Sequence, residues 1–376
     1  MNKQQHEPIE YTTMNTTMNT TNTTTPQGIL TRDISEGFRP LLVGAPGCAK
    51  TARIRAAAIA LGMRIVIMRA SLRERIDFGG ALVPDITAGI THELPLAILK
   101  DLRETTEPTL LFLDDLGQAP IDVQASLMSL FDEGALSPHV RIAGATNEQK
   151  HKAGVNGIIE PLRSRFDCRY KIATPGEEDM STGPVMLGSW ADEVNGWCDW
   201  LTDAHPDAWE IAAWHRSPSL GAQHPVGPVL YDWTPNNDPS RSMCDFRTWE
   251  TAARKLEAGR RDFNSFASTI GKGQASAFVA FLNLVNEVPT LDEVRSDPKG
   301  ALLPSKAAVL AYLSCKLAAS IDAKDAKQFI QYCERMPRIF TALAVQQAYR
   351  RIGAAFTKNP DWQRWFMANQ DMFLGQ

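Results

Sequence analysis

The stretch GAPGCAKT, residues 44–51, follows the apolar run RPLLV and leads into the helix-like segment TARIRAAAIALG. It matches the phosphate-binding loop pattern Gly-x-x-x-x-Gly-Lys-Ser/Thr at every fixed position but one, because Ala49 stands in place of the second glycine. A strand before such a loop and a helix after it would place bound phosphate at a helix N-terminus, where free backbone N–H groups attract an anion. A glycine-rich turn that binds nothing is the alternative, and the strand and helix on either side favour the phosphate loop.

Within this loop the fixed residues have separate chemical roles. Gly44 and Gly47 let the backbone turn tightly enough for its N–H groups to surround a phosphate, and Lys50 can reach the outer phosphates. The Thr51 hydroxyl can bind magnesium. We expect helical backbone angles at Ala49, which alanine adopts without strain. The residues predicted to bind nucleotide are Gly44, Ala45, Pro46, Gly47, Cys48, Ala49, Lys50 and Thr51.

A second motif, TLLFLDDLGQ (residues 109–118), is an apolar strand that ends in two acids. We expect Asp114 to hold magnesium together with Thr51, and Asp115 to orient or deprotonate the attacking water. Two solvated acids at a strand end are the ordinary interpretation of this motif taken alone. The phosphate loop that precedes the strand in the chain favours the magnesium and water site instead. Glutamate is the usual residue at position 115 of such a site, so the shorter aspartate would reach less far toward the water.

Two further motifs carry polar side chains. VRIAGATNEQ places Asn147 at the end of another apolar strand, where its amide could help to position the same water. IIEPLRSRFD then supplies Arg163 and Arg165. Taken alone, a solvated arginine pair is the ordinary interpretation of that cluster.

In this order, GAPGCAKT, LLFLDD, GATN and LRSRF resemble the Walker A, Walker B, sensor 1 and arginine-finger elements of AAA+ ATPases, and they are most similar to the MoxR branch of phage and bacterial proteins. Some MoxR-like proteins also have alanine before the loop lysine. The later CDFRTWETAARKL resembles the segment that carries the sensor 2 arginine, here Arg247. The resemblance covers roughly residues 28 to 260, and four ordered motifs are far more specific than any one of them.

This resemblance implies an ATPase with ATP and Mg2+ as cofactors, working as a homo-oligomeric ring, with a hexamer as the expected form. Arg247 would sense the γ-phosphate. Arg165 would reach into a neighbouring subunit's site, with Arg163 as its substitute. The implied partner is a protein with a von Willebrand A-type domain, encoded nearby, that adapts the motor to its substrate.

The order of apolar runs and helix-like segments predicts the domain organisation. Continuous apolar runs alternate with helical segments up to about Ala173, which indicates a parallel α/β sheet covered by helices on both faces. Tryptophan-rich and then amphipathic helical sequence follows, and the tryptophans are expected to fill a helical core. The predicted parts are a disordered Thr/Asn-rich tail (1–27), an AAA+ nucleotide-binding domain (28–176), an all-α lid (177–275) and a helical C-terminal region (276–376).

Composition narrows the class of partner. The 376 residues carry a formal net charge of −4, with a pI near 6.0, so the chain as a whole does not attract polyanionic nucleic acid. The absence of a long apolar run predicts no membrane span and, with no secretion signal, a cytoplasmic protein of a bacterial or phage-infected cell. Two other functions stay open: a nucleic-acid-translocating AAA+ motor, and an ATP-gated scaffold with little hydrolysis.

Two segments differ from, or only partly fit, the MoxR-like pattern. DEGALSPHVRIAG, before the GATN strand, is too short for the long hairpin that many MoxR relatives carry there. ERIDFGGALVPDITAGITHELP occupies the position from which AAA+ rings present loops to a central pore, and Phe78 is its only candidate for an aromatic pore side chain. A surface loop packed on its own domain is an equally good interpretation. His205, His215 and His224 lack metal-ligand spacing.

Overall fold

The computed structural model describes residues 25–148, 157–176, 184–221, 223, 226–232 and 244–372. Most of the predicted tail, together with His224 and Trp233, lies outside these ranges. The first helix, Pro26–Glu36, begins two residues before the predicted end of that tail. Its start follows local chemistry, since the Thr25 side chain accepts the N–H of Gly28 at 3.1 Å and a proline occupies the first helical position.

Two compact units divide the chain. The first contains residues 1–41, 51–146 and 158–169, and the second contains residues 42–50, 147–157 and 170–376. The boundary runs between Lys50 and Thr51, two neighbouring residues of one motif. Over the described residues, no helix is long and apolar enough to cross a membrane.

The strands form a mainly parallel sheet and one hairpin. In chain order they are β1 (Pro40–Val43), β2 (Arg64–Arg69), β3 (Ala81–Asp85), β4 (Ile90–Leu94), β5 (Thr109–Asp114), β6 (Val140–Thr146), β7 (Cys168–Lys171) and β8 (Val185–Met186). Within the described ranges, six of them form a sheet in the order β2-β5-β6-β1-β7-β8. Strand β5 is parallel to both β2 and β6 and is buried along its whole length, as expected for a strand covered on two faces. The predicted α/β fold is confirmed.

Helices flank the sheet and make up most of the C-terminal region. In the first part of the chain they are α1 (Pro26–Glu36), α2 (Lys50–Ala60), α3 (Ile76–Gly79), α4 (Ala97–Glu104), α5 (Ile121–Leu127) and α6 (Glu160–Arg163). Those after the sheet are α7 (Trp190–Ala204), α8 (Trp209–Arg216), α9 (Phe246–Glu257), α10 (Phe263–Leu282), α11 (Leu291–Ser296), α12 (Ala307–Ser320), α13 (Ala326–Cys333), α14 (Arg338–Ile352), α15 (Ala354–Thr357) and α16 (Pro360–Ala368).

The segment at the position of AAA+ pore loops, for which a surface loop was an equally good interpretation, folds as α3 followed by the antiparallel hairpin β3–β4. The Phe78 side chain is only 2% exposed, so it is packed in its own unit and is not presented to solvent. The hypothesis of an aromatic pore side chain at Phe78 is therefore wrong for this structure. Aliphatic side chains are exposed on the hairpin instead, with Ile86 at its turn 92% accessible and Leu82 also exposed.

The second unit has a core rich in aromatic residues. Trp197, Trp214 and Trp249 are buried, which confirms the expected packing role of these three tryptophans. His215 is also buried, with its ring centroid 5.6 Å from that of Trp197 and 4.4 Å from that of Trp249. Burial lowers the pKa of His215 from 6.5 to about 3, so this imidazole is neutral in the fold.

The segments predicted as a helical lid and as a helical C-terminal region share secondary structure and packing. Helix α10 continues through the predicted boundary at residues 275 and 276, although it bends at Gly271, where φ is 79°. The Tyr312 ring, on α12, lies 5.1 Å from the Trp209 ring and 5.4 Å from the Phe281 ring. The sequence pattern did not indicate this joint core, because each helix shows only its own apolar face.

Candidate active site

The loop between β1 and α2 has an unusual backbone at two positions. Gly47 has a φ of 76° and Ala49 a φ of 63°. The expectation of helical angles at Ala49 was therefore wrong, since a positive φ brings the Cβ of an L-residue close to a carbonyl oxygen. This position calls for the glycine of the usual pattern, and alanine there stores strain of the kind found at functional sites.

Lys50 is held by three oxygen acceptors. It is 8% exposed, and its Nζ donates to the carbonyl oxygens of Gly44 (3.0 Å) and Ala45 (2.8 Å) and to Oδ1 of Asn147 (2.7 Å). An ammonium group has three protons, so these oxygens satisfy all of them. A phosphate oxygen bound by Lys50 would have to replace one of these acceptors. The structure thus places Asn147, the predicted water-positioning residue, directly against the loop lysine.

Thr51, the residue after Lys50, forms a hydrogen bond with the second motif. Thr51 Oγ1 donates to Oδ2 of Asp114 at 2.9 Å, and Oδ1 of the same carboxylate accepts the N–H of Asp115 at 3.0 Å. Asp114 is buried at the end of β5. Hydroxyl and carboxylate oxygens are the hard ligands that Mg2+ prefers, and this ion commonly keeps several waters and uses one or two protein carboxylates. The pair of Thr51 and Asp114 fits a magnesium ion by its donor chemistry.

Asp115 also has a left-handed backbone, with φ 56° and ψ 35°, and starts a 3-10 turn, Leu116–Gln118. Aspartate and asparagine are the non-glycine residues that tolerate this conformation best, because their short polar side chains can hydrogen-bond locally. The local backbone therefore gives a physical reason for aspartate where glutamate is usual. The sequence pattern carried no sign of it.

Both candidate finger arginines lie near the end of α6. Arg163 forms an ion pair with Glu160. Arg165 donates to the carbonyl oxygen of Pro161 at 3.1 Å, lies 3.7 Å from Asp132 and has a third of its side chain exposed. Its neighbour Phe166 anchors the segment, because the ring is buried against the backbone of Gly144, where an added Cβ would lie 2.7 Å from it.

Arg247 lies in the first turn of α9 and is exposed. Asp245, the residue before this helix, caps it, and its side chain accepts the N–H of Thr248 at 2.7 Å in a capping box. This position leaves the Arg247 guanidinium accessible to a ligand. Over the described residues, no cluster of three or more His, Cys, Asp or Glu side chains could hold a metal ion.

Sequence reasoning missed two contacts to the phosphate loop from the helical region. The Tyr231 hydroxyl donates to the carbonyl oxygen of Pro46 at 2.8 Å. The Asp245 carboxylate lies against Gly47, where an added Cβ would be 2.6 Å from its Oδ2. The position of Asp245 just before Arg247 was a weak local signal, whereas Tyr231 had none, because it lies 185 residues from Pro46 in the chain.

Strand, glycine-containing loop and helix, with Lys50 and Thr51 in these contacts, have the arrangement of a P-loop. Residues 40–174 match the family described as "ATPase family associated with various cellular activities (AAA)". This span contains the phosphate loop, Asp114, Asn147 and both candidate finger arginines, whereas Arg247 lies beyond it. Residues 40–174 are therefore similar to an AAA ATPase domain, and ATP hydrolysis is the general activity of that family.

Solved structures give a similarity of fold only. The RuvB Holliday junction branch migration motor of Thermotoga maritima has 17% identity, with 73% of this chain and 74% of that one covered and a TM-score of 0.36. NtrX of Brucella abortus in complex with ADP has 12% identity, with 92% and 67% covered and a TM-score of 0.35. At these values no activity or partner carries over. No curated protein matches the sequence.

Proposed function

We propose that this protein is a MoxR-type AAA+ motor in which magnesium-dependent ATP hydrolysis drives the remodelling or activation of a protein partner. One observation carries the proposal: the neighbouring residues Lys50 and Thr51 each contact a different predicted motif. Lys50 bonds to Asn147 at 2.7 Å, and Thr51 bonds to Asp114 at 2.9 Å. A glycine-rich turn that binds nothing would not explain why a buried ammonium and a buried carboxylate lie at this loop.

In this proposal each side chain has one task. The backbone N–H groups of residues 44–51 and the Lys50 ammonium bind phosphate, while Thr51 and Asp114 hold Mg2+. Bound Mg2+ supplies charge neutralisation at the phosphates. Asp115 accepts a proton from the attacking water, and Asn147 orients that water once Lys50 turns toward phosphate.

The proposal of a homo-oligomeric ring is based on Arg165, Arg163 and Arg247. Arg165 is partly exposed and held by Phe166 and Pro161, which suits a side chain that reaches into a neighbouring subunit. Arg163 is its substitute, although its ion pair with Glu160 would first have to open. Arg247 senses the γ-phosphate from the helical region. We propose a homo-oligomer, with a hexamer as the expected form, and a partner protein with a von Willebrand A-type domain.

An ATP-gated scaffold with little hydrolysis is the second candidate. It is favoured by the left-handed backbone at Asp115, which suits a short acid and leaves the carboxylate one methylene short of the usual glutamate. In that case ATP would bind and drive assembly, while turnover stays close to zero.

Steady-state ATPase measurements test these functions. We expect Mg2+-dependent hydrolysis by the parent that increases when the partner with a von Willebrand A-type domain is added and does not respond to duplex or single-stranded DNA. Asp115→Asn should bind ATP but hydrolyse it slowly, because the amide keeps the shape and loses the base. Stimulation by DNA alone would favour a nucleic-acid motor, and ATP-driven assembly without turnover would favour the scaffold.

Mixing two inactive variants tests the ring. If Arg165 acts across a subunit boundary, Arg165→Ala should bind ATP normally and hydrolyse it about a thousandfold more slowly. Mixed with Asp115→Asn subunits, it should regain part of the activity, because some interfaces then pair an intact aspartate with an intact arginine. No recovery, together with a monomeric mass in the presence of ATP, would contradict the assignment.

A further inference from the structure

Two side chains from the helical region contact the phosphate loop, and they are of opposite chemical character. The Tyr231 hydroxyl is a neutral donor to the carbonyl oxygen of Pro46, at 2.8 Å. Asp245 places a carboxylate against Gly47, in a loop whose predicted ligand is itself an anion. An added Cβ on Gly47 would lie 2.6 Å from Asp245 Oδ2, so only glycine allows this approach.

Two hydrogen bonds between Asp232 and Cys244 join the two contacts into one structural element. The N–H of Asp232 donates to the carbonyl oxygen of Cys244 at 3.0 Å, and the N–H of Cys244 donates to Oδ1 of Asp232 at 2.7 Å. Tyr231 and Asp245 flank this pair on either side. We call the four residues 231, 232, 244 and 245 the loop clasp.

The orientation of Asp245 is fixed by its helix. Its Oδ1 accepts the N–H of Thr248 at 2.7 Å, and its own N–H donates to Thr248 Oγ1 at 2.9 Å. With Oδ1 held as the cap of α9, Oδ2 is the oxygen left facing Gly47. Arg247 follows two residues later on the same helix.

We propose that Asp245 is an affinity-determining residue that competes with phosphate for the loop. The inference rests on the proposed ATP site and deepens it. Like charges repel, so phosphate at the loop weakens the contact of Asp245, and the carboxylate in turn weakens phosphate binding. Because Asp245 caps α9, displacement of this carboxylate moves the helix that carries Arg247. Tyr231 keeps the clasp next to the loop.

Asp245→Asn tests this directly, since asparagine caps a helix as well as aspartate does, keeps the shape of the side chain and removes its negative charge. We expect calorimetry to show ATP binding about tenfold tighter than in the parent in about 0.05 M NaCl, and a much smaller gain in about 1 M NaCl, where the Debye length is about 3 Å. Asp262→Asn is the matched control. Asp262 caps α10 in the same way, accepting the N–H of Ser265 at 2.9 Å, so this variant should bind ATP like the parent.

Tyr231→Phe tests the clasp as a unit. Loss of the hydroxyl should also tighten ATP binding, by a smaller factor, and the double variant with Asp245→Asn should gain less than the product of the two single effects. If Asp245→Asn binds ATP like the parent at low salt, or if its gain does not change with salt, the inference is overturned. A parent that binds no ATP would refute the proposed function itself.

Discussion

The strained backbone at Ala49 predicts that an Ala49→Gly substitution stabilises the protein. Replacing Ala49 with glycine removes one methyl group from the residue immediately before α2. Were Ala49 helical, as its sequence context indicates, glycine would destabilise the protein by about 0.5–1 kcal/mol. With a φ of 63°, the same change should stabilise it.

The magnitude follows from two opposing contributions. Relief of the left-handed conformation favours glycine by about 1–2 kcal/mol, because the methyl group no longer approaches a carbonyl oxygen. The larger conformational entropy of glycine in the unfolded chain opposes this by about 0.4–1 kcal/mol. The expected net effect is a gain of about 0.5–1 kcal/mol in the free energy of unfolding.

Ala52→Gly provides the matched control. Ala52 is exposed in the first turn of α2, three residues after Ala49, and its helical backbone makes glycine unfavourable there. Urea unfolding of the nucleotide-free protein, followed by far-UV circular dichroism, should therefore move to higher urea for Ala49→Gly and to lower urea for Ala52→Gly.

A loss of stability in Ala49→Gly equal to that in Ala52→Gly would refute the positive φ and, with it, the strain assigned to the phosphate loop. Equal shifts toward higher urea in both variants would also refute it. Ala52 is helical and has no strain to release, so strain relief could not explain a gain there.

Three other substitutions give independent tests. Lys50→Ala should abolish ATP binding in calorimetry, because the loop loses its only lysine, whereas Lys272→Ala, at an exposed position of α10, should bind normally. Asp115→Glu should destabilise the protein by about 1 kcal/mol in urea unfolding, since a longer acid tolerates the left-handed backbone less well, and unchanged stability would contradict that explanation. For His215, the folded-state pKa of about 3 lies below the unfolded value of 6.5, so its stabilising contribution is complete above pH 6.5 and is lost as the pH falls from there toward 3. The loss should reach about 2 kcal/mol by about pH 5. In His215→Phe, the free energy of unfolding should not show this loss between pH 7 and pH 5. An equal loss in the parent and in His215→Phe would mean that other groups cause it.

Local pattern was enough to predict the α/β part of the fold. Strands that are apolar at every position, such as β5, indicate burial on both faces, and helices alternating with them indicate parallel connections. The carboxyl ends of parallel strands share one edge of a sheet, so polar residues at those ends could be assigned to a common site. The structure shows hydrogen bonds from Thr51 to Asp114 and from Lys50 to Asn147, and the roles of these residues at a nucleotide stay predictions.

Other features depend on how distant segments meet. The positive φ at Ala49 belongs to the loop that connects β1 to α2. Alanine as a residue type does not predict a positive φ. Phe78 is an aromatic residue in a polar segment, and only the packing around α3 decided that its ring is buried. Helix α10 runs across a boundary that composition placed at residue 275, because the aromatic core on both sides is continuous.

The sequence by itself therefore determined which side chains are the candidates for binding phosphate and magnesium, because the strand–loop–helix pattern is encoded within a few consecutive residues. Only the tertiary structure decided which other residues contact these side chains and the phosphate loop. The contact of Tyr231 with Pro46 joins residues 185 positions apart, and Asp245 reaches Gly47 only because that residue has no side chain. Contacts of this kind arise when separately encoded elements pack together, and they leave no periodic trace in the sequence.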